Sequence, residues 1–60
     1  MDKTTADRMK HKRVKVRLDT GFFYSGEILE ANEDSLLFRD KFGKDLALSY
    51  SAITVIEELE

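Results

Sequence analysis

The residues best able to do chemistry in this 60-residue chain are cations gathered near its start. Six basic side chains fall within ten residues that contain no acid: Arg8, Lys10, Lys12, Arg13, Lys15 and Arg17. Clustered Lys and Arg side chains can neutralise phosphates, the main source of sequence-independent affinity for nucleic acid. The same run is compatible with a solvated surface, or with lysines that protect a strand edge from pairing. The expected phosphate contacts are Lys10, Lys12 and Arg13, continued on a strand face by Lys15 and Arg17.

Catalysis and cofactor binding have no support in the sequence. The chain has no cysteine and one histidine, His11, so a nucleophile, a base and an orienting group cannot be assembled. A zinc site of the usual ligand types is excluded for the same reason. Acids that are neighbours in sequence, such as Glu33 and Asp34, would point in different directions on a strand. We expect a non-catalytic protein without a metal or cofactor, and His11 is most simply a surface residue.

Exposed aromatic residues are the second kind of candidate contact. Phe22, Phe23 and Tyr24 are consecutive, so they cannot all point to one face of a strand. Either Phe23 is exposed in the monomer and covered in an assembly, or a bend in the strand buries all three. Phe42, at a glycine-containing loop beside lysines, either stacks on a nucleobase or folds back onto the core.

The elements that must position these residues are strands. Val14, Val16 and Leu18 alternate with Lys15 and Arg17, which predicts a first strand with one solvent-facing side. Four further strands are predicted at residues 22–31, 36–40, 46–50 and 53–56. A single helical turn is expected at residues 49–52, before the last strand, and residues 57–60 are expected to fray.

Two glycines shape the predicted sheet. Gly21 closes a turn after the first strand, and Gly26 should bend the long second strand. The adjacent apolar residues Ile28 and Leu29 are typical of a strand that turns between two sides of a core. Five short strands, so bent and without a long helix, predict an all-β fold of the SH3-like or OB-like small-barrel type.

The start of the chain has the spacing of a capping box, with Thr4 as N-cap and Asp7 three positions later. This predicts a short helix over residues 5–12, and the alternative is a disordered basic tail. We therefore divide a single domain of residues 1–60 into a basic helix or tail at 1–12 and a barrel at 13–57.

Size and charge bear on partners and compartment. A 60-residue domain buries only about 60% of its unfolded surface, so oligomerisation is an expected source of further burial. The net charge is −2, with a basic head and an acidic body, which suits a local anion site or contact between copies. No apolar run is long enough to span a membrane, and we expect a soluble, cytoplasmic protein with no membrane partner.

The order of elements resembles the Sm-like family, including its bacterial Hfq branch. The resemblance covers residues 10–56 and is carried by hydrophobic spacing and two glycines: Val14-x-Val16-x-Leu18-x-x-Gly21, Gly26-x-Ile28, Leu36-Leu37-Phe38 and Ala52-Ile53. It implies a five-stranded Sm-like small barrel whose copies form a homo-oligomeric ring that binds single-stranded RNA.

The resemblance also implies positions for the interfaces. In the family, the fourth strand of one subunit pairs with the fifth strand of the next. This implies an oligomer interface at Leu46, Leu48, Ile53 and Val55, to which Phe23 is added as an exposed aromatic. A basic rim patch of the Hfq branch falls on Lys10, His11, Lys12 and Arg13.

The sequence departs from the family pattern at two RNA sites. Asn32 stands where the family has an aspartate, and Leu36 where Sm proteins have an asparagine. The turn before the last strand reads Ser49-Tyr50-Ser51 and has no cation, although Tyr50 could stack on a base. The competing interpretation is therefore a small-barrel interaction or assembly module that does not bind nucleic acid.

Overall fold

The structure is a computed structural model that describes residues 1–59, and it is an all-β fold with a short N-terminal helix. The helix α1 is Lys3–Arg8, and the strands are β1 (Arg13–Leu18), β2 (Phe23–Ala31), β3 (Ser35–Asp40), β4 (Asp45–Ser49) and β5 (Ile53–Glu58). A 3-10 turn at Tyr50–Ala52 joins β4 to β5, as the sequence predicts. The prediction of a five-stranded barrel with a helix before it is confirmed.

The strands form one antiparallel sheet in the order β4-β3-β2-β1-β5. The first four strands are joined as successive hairpins, and β5 returns to pair with β1. Within residues 1–59, β4 and β5 each pair on one side only, so the sheet has two open edges.

The core lies on the concave side of the curled sheet. Alternation places Val14 and Val16 of β1, and Leu36 and Phe38 of β3, on this side, and all four are fully buried. Ala6 is the residue that anchors α1 to the core. The whole buried apolar set is Ala6, Val14, Val16, Ile28, Leu36, Phe38, Leu48, Tyr50 and Ile53.

Gly21 and Gly26 serve different purposes. Gly21 has φ +94°, a conformation that glycine adopts without the strain a side chain would bring, and it lies in the β1–β2 turn. Gly26 has no positive φ; instead, a Cβ added to it would lie 2.0 Å from the carbonyl oxygen of Arg39 in β3. The register shift in β2 falls between Ile28 and Glu30, at the predicted pair of apolar residues. The bend predicted at Gly26 is therefore at Leu29, and Gly26 permits close strand approach.

The N-terminal helix is shorter and begins earlier than predicted. Its N-cap is Asp2, whose side chain accepts a hydrogen bond from the backbone N–H of Thr5 at 2.9 Å, and not Thr4. It ends at Arg8 because the connection to β1 leaves helical geometry: His11 has φ +69°, and its N–H donates to the carbonyl oxygen of Ile28.

The end of the chain is more ordered than predicted. Glu57 and Glu58 belong to β5, where they pair with Lys15 and Val14 of β1. The N–H of Leu59 donates to the carbonyl oxygen of Arg13, which continues the ladder by one bond. The prediction of fraying is wrong for residues 57–59, because β1 supplies backbone partners, and Glu60 lies outside the described residues.

Candidate nucleic-acid interface

Three of the four predicted rim residues, Lys10, His11 and Lys12, lie between α1 and β1, each within 4 Å of an acid, and Arg13 begins β1. The helix ends before them, so their positions are set by the connection that includes His11. The pairs are exposed at the surface, and the histidine carries a charge only when protonated. The distances are 3.9 Å from Lys10 Nζ to Asp7 Oδ1, 3.6 Å from His11 Nδ1 to Glu27 Oε2 and 3.5 Å from Lys12 Nζ to Glu58 Oε1. The positive charge of Lys10 and Lys12 is therefore partly compensated within the chain.

Lys15 and Arg17 are in a different electrostatic setting. Alternation in β1 directs them away from buried Val14 and Val16, onto the convex side of the sheet. Neither lies within ion-pair distance of a carboxylate of residues 1–59, although Glu57 of β5 is the cross-strand partner of Lys15 and lines a pocket with both cations. Two cations face one carboxylate here, so positive charge remains for an external anion.

The exposed ring of Phe23 completes this surface. Phe23 pairs with Arg17 across β1 and β2 and is 57% exposed. Lys15 Nζ lies 4.8 Å from the centre of the ring, and the guanidinium carbon of Arg17 lies 5.9 Å from it. Both distances are within the range of cation–π attraction, which holds the two cations beside the ring. We call Lys15, Arg17 and Phe23 the outer face.

The three consecutive aromatics, Phe22, Phe23 and Tyr24, differ in exposure. Phe22 lies before β2 and is 68% exposed, whereas Tyr24 is half-buried and makes an edge-to-face contact with Phe38, with ring centres 6.5 Å apart. No bend buries all three. Phe23 is exposed in the monomer, as the first alternative requires.

Phe42 projects from the loop between β3 and β4 and does not fold back onto the core. It is 84% exposed, and Lys41 Nζ lies 5.4 Å from the centre of its ring. Lys41 is absent from the predicted set of binding residues. The available sequence signal was an aromatic next to lysine in a loop turned by Gly43, which has φ +85°.

Tyr50 is part of the core, contrary to its predicted role as a stacking residue. Only 6% of the residue is exposed, so its ring offers no open face to a base. Its hydroxyl donates a hydrogen bond of 2.6 Å to the carbonyl oxygen of Asn32. Burial raises the pKa of this hydroxyl, and the negative charge of Asp7 raises the pKa further. The 3-10 turn directs Tyr50 inward because the hydroxyl finds an acceptor there.

The pocket beside Tyr50 has the wrong charge for phosphate. It is an open pocket of about 630 Å³ whose wall includes three carboxylates, Asp2, Glu33 and Asp34. The hydroxyl groups of Ser49 and Ser51, which also line this pocket, form a hydrogen bond of 2.9 Å. The fold brings Lys3 to the same wall, but this lysine is paired with Asp7 at 3.6 Å, and the three carboxylates outnumber it, so the pocket disfavours a phosphate.

The residues predicted at the oligomer interface divide into core and surface. Leu48 and Ile53 are buried in the core, because alternation in β4 and β5 turns them inward, so their side chains cannot face a partner. Leu46 is half-buried. Val55, at 51%, and Phe23 are exposed. The unpaired backbone groups of the edge strands β4 and β5 offer more contacts to another copy than these side chains do.

Two further searches concern residues 1–59. In this part of the chain no three His, Asp or Glu side chains are gathered so that they could hold a metal ion. No helix there has the length and apolar character needed to cross a lipid bilayer.

Comparison with known proteins identifies structural neighbours only. No protein-family profile matches the sequence, and no curated protein sequence matches it. A crystal structure described as the pleiotropic translational regulator Hfq superposes with a TM-score of 0.81 at 21% identity, covering 90% of this chain and 92% of that one. A novel Sm-like archaeal protein from Pyrobaculum aerophilum gives a TM-score of 0.68 at 20% identity, and this chain, 95% covered, spans 50% of its length. The chain therefore has the Sm-like fold.

Proposed function

We propose that this chain is a non-catalytic subunit of a homo-oligomeric ring that binds single-stranded RNA in the cytoplasm. The observation that carries the proposal is the exposed ring of Phe23 beside two cations, Lys15 and Arg17, neither of which forms an ion pair within residues 1–59. Within residues 1–59, Glu57 is the carboxylate that lines a pocket with both of them. The Sm-like fold supports the proposal, and so does the description of one structural neighbour as a translational regulator.

The outer face offers the two kinds of contact that a single strand needs. A base stacks on an aromatic side chain with about 1–3 kcal/mol of favourable free energy, whatever its identity. Neighbouring cations take the phosphates and release counterions. Lys15 and Arg17 are on the same strand face as the ring they flank, so one nucleotide can use both kinds of contact. Repetition of such a shallow site around a ring adds weak contacts by multivalency.

The rim makes a smaller contribution in this proposal. Lys10, His11, Lys12 and Arg13 remain candidate RNA contacts, and Arg13 is exposed at the start of β1. A phosphate that approaches Lys10 or Lys12 must compete with a carboxylate already within 4 Å. We expect the rim to steer the strand at long range more than to hold it.

Assembly through the open edges completes the proposal. The N–H of Asp40 donates to the carbonyl oxygen of Lys44 at 2.9 Å, so these residues form a hydrogen-bonded pair. Hydrogen-bonded and non-hydrogen-bonded pairs alternate along an antiparallel ladder, so Leu37 and Ala47 form a non-hydrogen-bonded pair. The N–H of Ala47 therefore points away from β3, to the open edge of the sheet. We infer that this edge of β4 receives β5 of the next copy. Native mass spectrometry should give one closed oligomer, and a clean monomer at tens of micromolar would refute the ring.

RNA binding is tested with two matched double variants. Lys15→Gln/Arg17→Gln removes two cations from the outer face, and Lys10→Gln/Lys12→Gln removes the same charge from the rim. Fluorescence anisotropy with uridine-rich and adenine-rich strands across salt gives the affinity and its salt slope. We expect the outer-face variant to bind much more weakly and its slope to fall by about 1.4, at about 0.7 per lost phosphate contact. The rim variant should retain most of the affinity.

The result also decides between the two function classes. No binding by the native chain at low salt, together with a closed oligomer, would leave the assembly module as the function. That alternative is favoured by one observation, the three carboxylates at the pocket beside Tyr50. Equal loss in the two double variants would mean that net charge, and not the outer face, governs binding.

A further inference from the structure

Next to the outer face is a groove lined by a second exposed ring. The groove has a volume of about 320 Å³, the lower end of the range for ligand sites. Phe23 and Phe42 both line it, each with an ammonium group about 5 Å from the centre of its ring, from Lys15 and Lys41 respectively. Tyr24, Ser25 and Asp40 also line it. Two aromatic faces and two cations are therefore gathered around one concave site.

The loop that carries Phe42 is held in place by its own hydrogen bonds. Asp40 Oδ1 accepts from the backbone N–H groups of Phe42 and Lys44, each at 2.9 Å. The N–H of Lys41 donates to the carbonyl oxygen of Ser25 at 2.9 Å, which ties the loop to β2. Gly43 supplies the positive φ that the turn requires. Phe42 is exposed because the loop presents it, and not because the loop lacks fixed structure.

We propose that this groove is a nucleobase subsite, in which one base stacks on Phe42 while Lys15 and Lys41 take the phosphates that flank it. The proposal rests on the proposed function, because the same strand would continue from the groove onto the outer face. Its chemical requirement is a flat aromatic ring joined to an anion, and a nucleotide unit of a single strand meets both parts. Asp40 is a positioning residue here, since it fixes the loop.

A nucleobase fits the groove better than an acidic peptide does. Peptides that bind to sheets usually add a strand at an edge, but β2 is paired on both sides, with β1 and β3. Exposed phenyl rings offer flat surfaces, and every base has a flat surface to stack on them.

The test compares two alanine variants and two strands. Phe42→Ala removes the proposed stacking ring, and Phe22→Ala is the matched control, because Phe22 is also exposed but has no cation over its ring among the described residues. The strands are an oligonucleotide of about six residues, within the usual site size for one module, and a strand of equal length with every base absent. The second strand keeps the phosphates and loses only the bases. Thermal melts confirm that both variants are folded.

We expect Phe42→Ala to weaken binding of the base-bearing strand by about 5-fold to 100-fold, as alanine substitution of a stacking residue does. Its affinity for the abasic strand should stay within about twofold of the native chain, because the phosphate contacts are intact. Phe22→Ala should leave both affinities unchanged. A 2-aminopurine base in the strand should lose fluorescence on binding to the native chain and recover it with Phe42→Ala.

Four outcomes would overturn the inference, and they are distinguishable. Equal loss for both strands would make Phe42 a structural residue, and no loss for either would make the groove irrelevant; in both cases the proposed function stands. No binding of either strand by the native chain would refute the proposed function and the subsite together. Displacement of the strand by an acidic, aromatic-rich peptide that shifts the Phe42 resonances would identify the groove as a protein-binding site.

Discussion

Replacement of Gly26 by alanine should unfold this protein or come close to doing so. An added Cβ would lie 2.0 Å from the carbonyl oxygen of Arg39, 2.8 Å from the Cα of Asp40 and 2.9 Å from the carbonyl carbon of Arg39. All three atoms are backbone atoms of β3, so no side-chain rotation can relieve the contact. Non-bonded atoms do not approach a Cβ within 3.0 Å, and β2 and β3 would therefore have to separate by about 1 Å.

The expected cost follows from the position of these strands. Overpacking in a well-packed site costs about 1–3 kcal/mol, and we expect the upper end because two paired central strands must move. A chain of 60 residues has a free energy of unfolding of about 3–9 kcal/mol, at about 0.05–0.15 kcal/mol per residue. The variant should lose a third or more of that stability. Without the clash, the substitution would raise the free energy of unfolding, because a Gly to Ala change at a compatible site stabilises a protein by about 0.4–1 kcal/mol.

Urea denaturation followed by far-ultraviolet circular dichroism measures this loss. Gly43→Asn is the control, since Gly43 has positive φ, which asparagine tolerates, and an added Cβ there meets nothing within 4 Å. We expect the control to lower the midpoint only by the strain of a side chain at φ +85°, and Gly26→Ala to show either a much lower midpoint or no folded baseline. A midpoint for Gly26→Ala equal to that of the native chain would refute the argument from close strand approach.

Three further predictions concern the core tyrosine and the open edge. Tyr50→Phe removes the hydrogen bond to Asn32 and should lower the free energy of unfolding by about 0.5–1.5 kcal/mol in urea titrations, whereas Tyr24→Phe, which loses no hydrogen bond found in residues 1–59, should not. Because burial raises the pKa of Tyr50 above 10.0, the unfolded chain ionises first, so stability should fall as pH rises above about 10. Melting temperatures measured against pH should show a shallower alkaline decline in Tyr50→Phe, and an identical decline would count against a buried hydroxyl. Ala47→Pro leaves the hydrogen bonds between β4 and β3 in place, so the variant should fold. It removes the N–H that Ala47 presents at the open edge, so light scattering should show a monomer. An intact oligomer in that variant would exclude the β4 edge as the contact.

Much of the sheet could be predicted because each strand has a local signal. The alternation around Lys15 identifies β1, and it also assigns Lys15 and Arg17 to the solvent side without any knowledge of tertiary structure. Gly21 marks its turn by residue type alone. These predictions depend on residues two to five positions apart, and they are confirmed.

Two residues near the start of the chain, Asp2 and Thr4, could each serve as the N-cap of the helix. Asp2 followed by Thr5 and Thr4 followed by Asp7 have the same spacing, and both Asp and Thr are good N-caps. The structure uses Asp2, which places Ala6 on the core side and leaves the rim residues outside the helix. Sequence spacing could not separate the two, because the difference lies in what the helix packs against.

The ion pairs of the rim could not be predicted for a similar reason. Lys12 meets Glu58 only because β5 returns to β1, and Tyr50 finds Asn32 only because the 3-10 turn lies over the end of β2. Contacts between residues so far apart in sequence follow from the topology. For this reason the proposed RNA contacts are placed mainly on the outer face and less on the rim.

The return of β5 to β1 has a consequence for how the chain folds. The first four strands are successive hairpins and can form from local contacts, but Val14 pairs with Glu58, which lies 44 positions later in the chain. Closing so long a loop costs more entropy than closing a hairpin, so this pairing should come last. Substitutions in β5 should then accelerate unfolding and leave the folding rate nearly unchanged. Until β5 arrives, the edge of β1 is open, and at high protein concentration the β5 segment of another copy can occupy it and give a domain-swapped dimer.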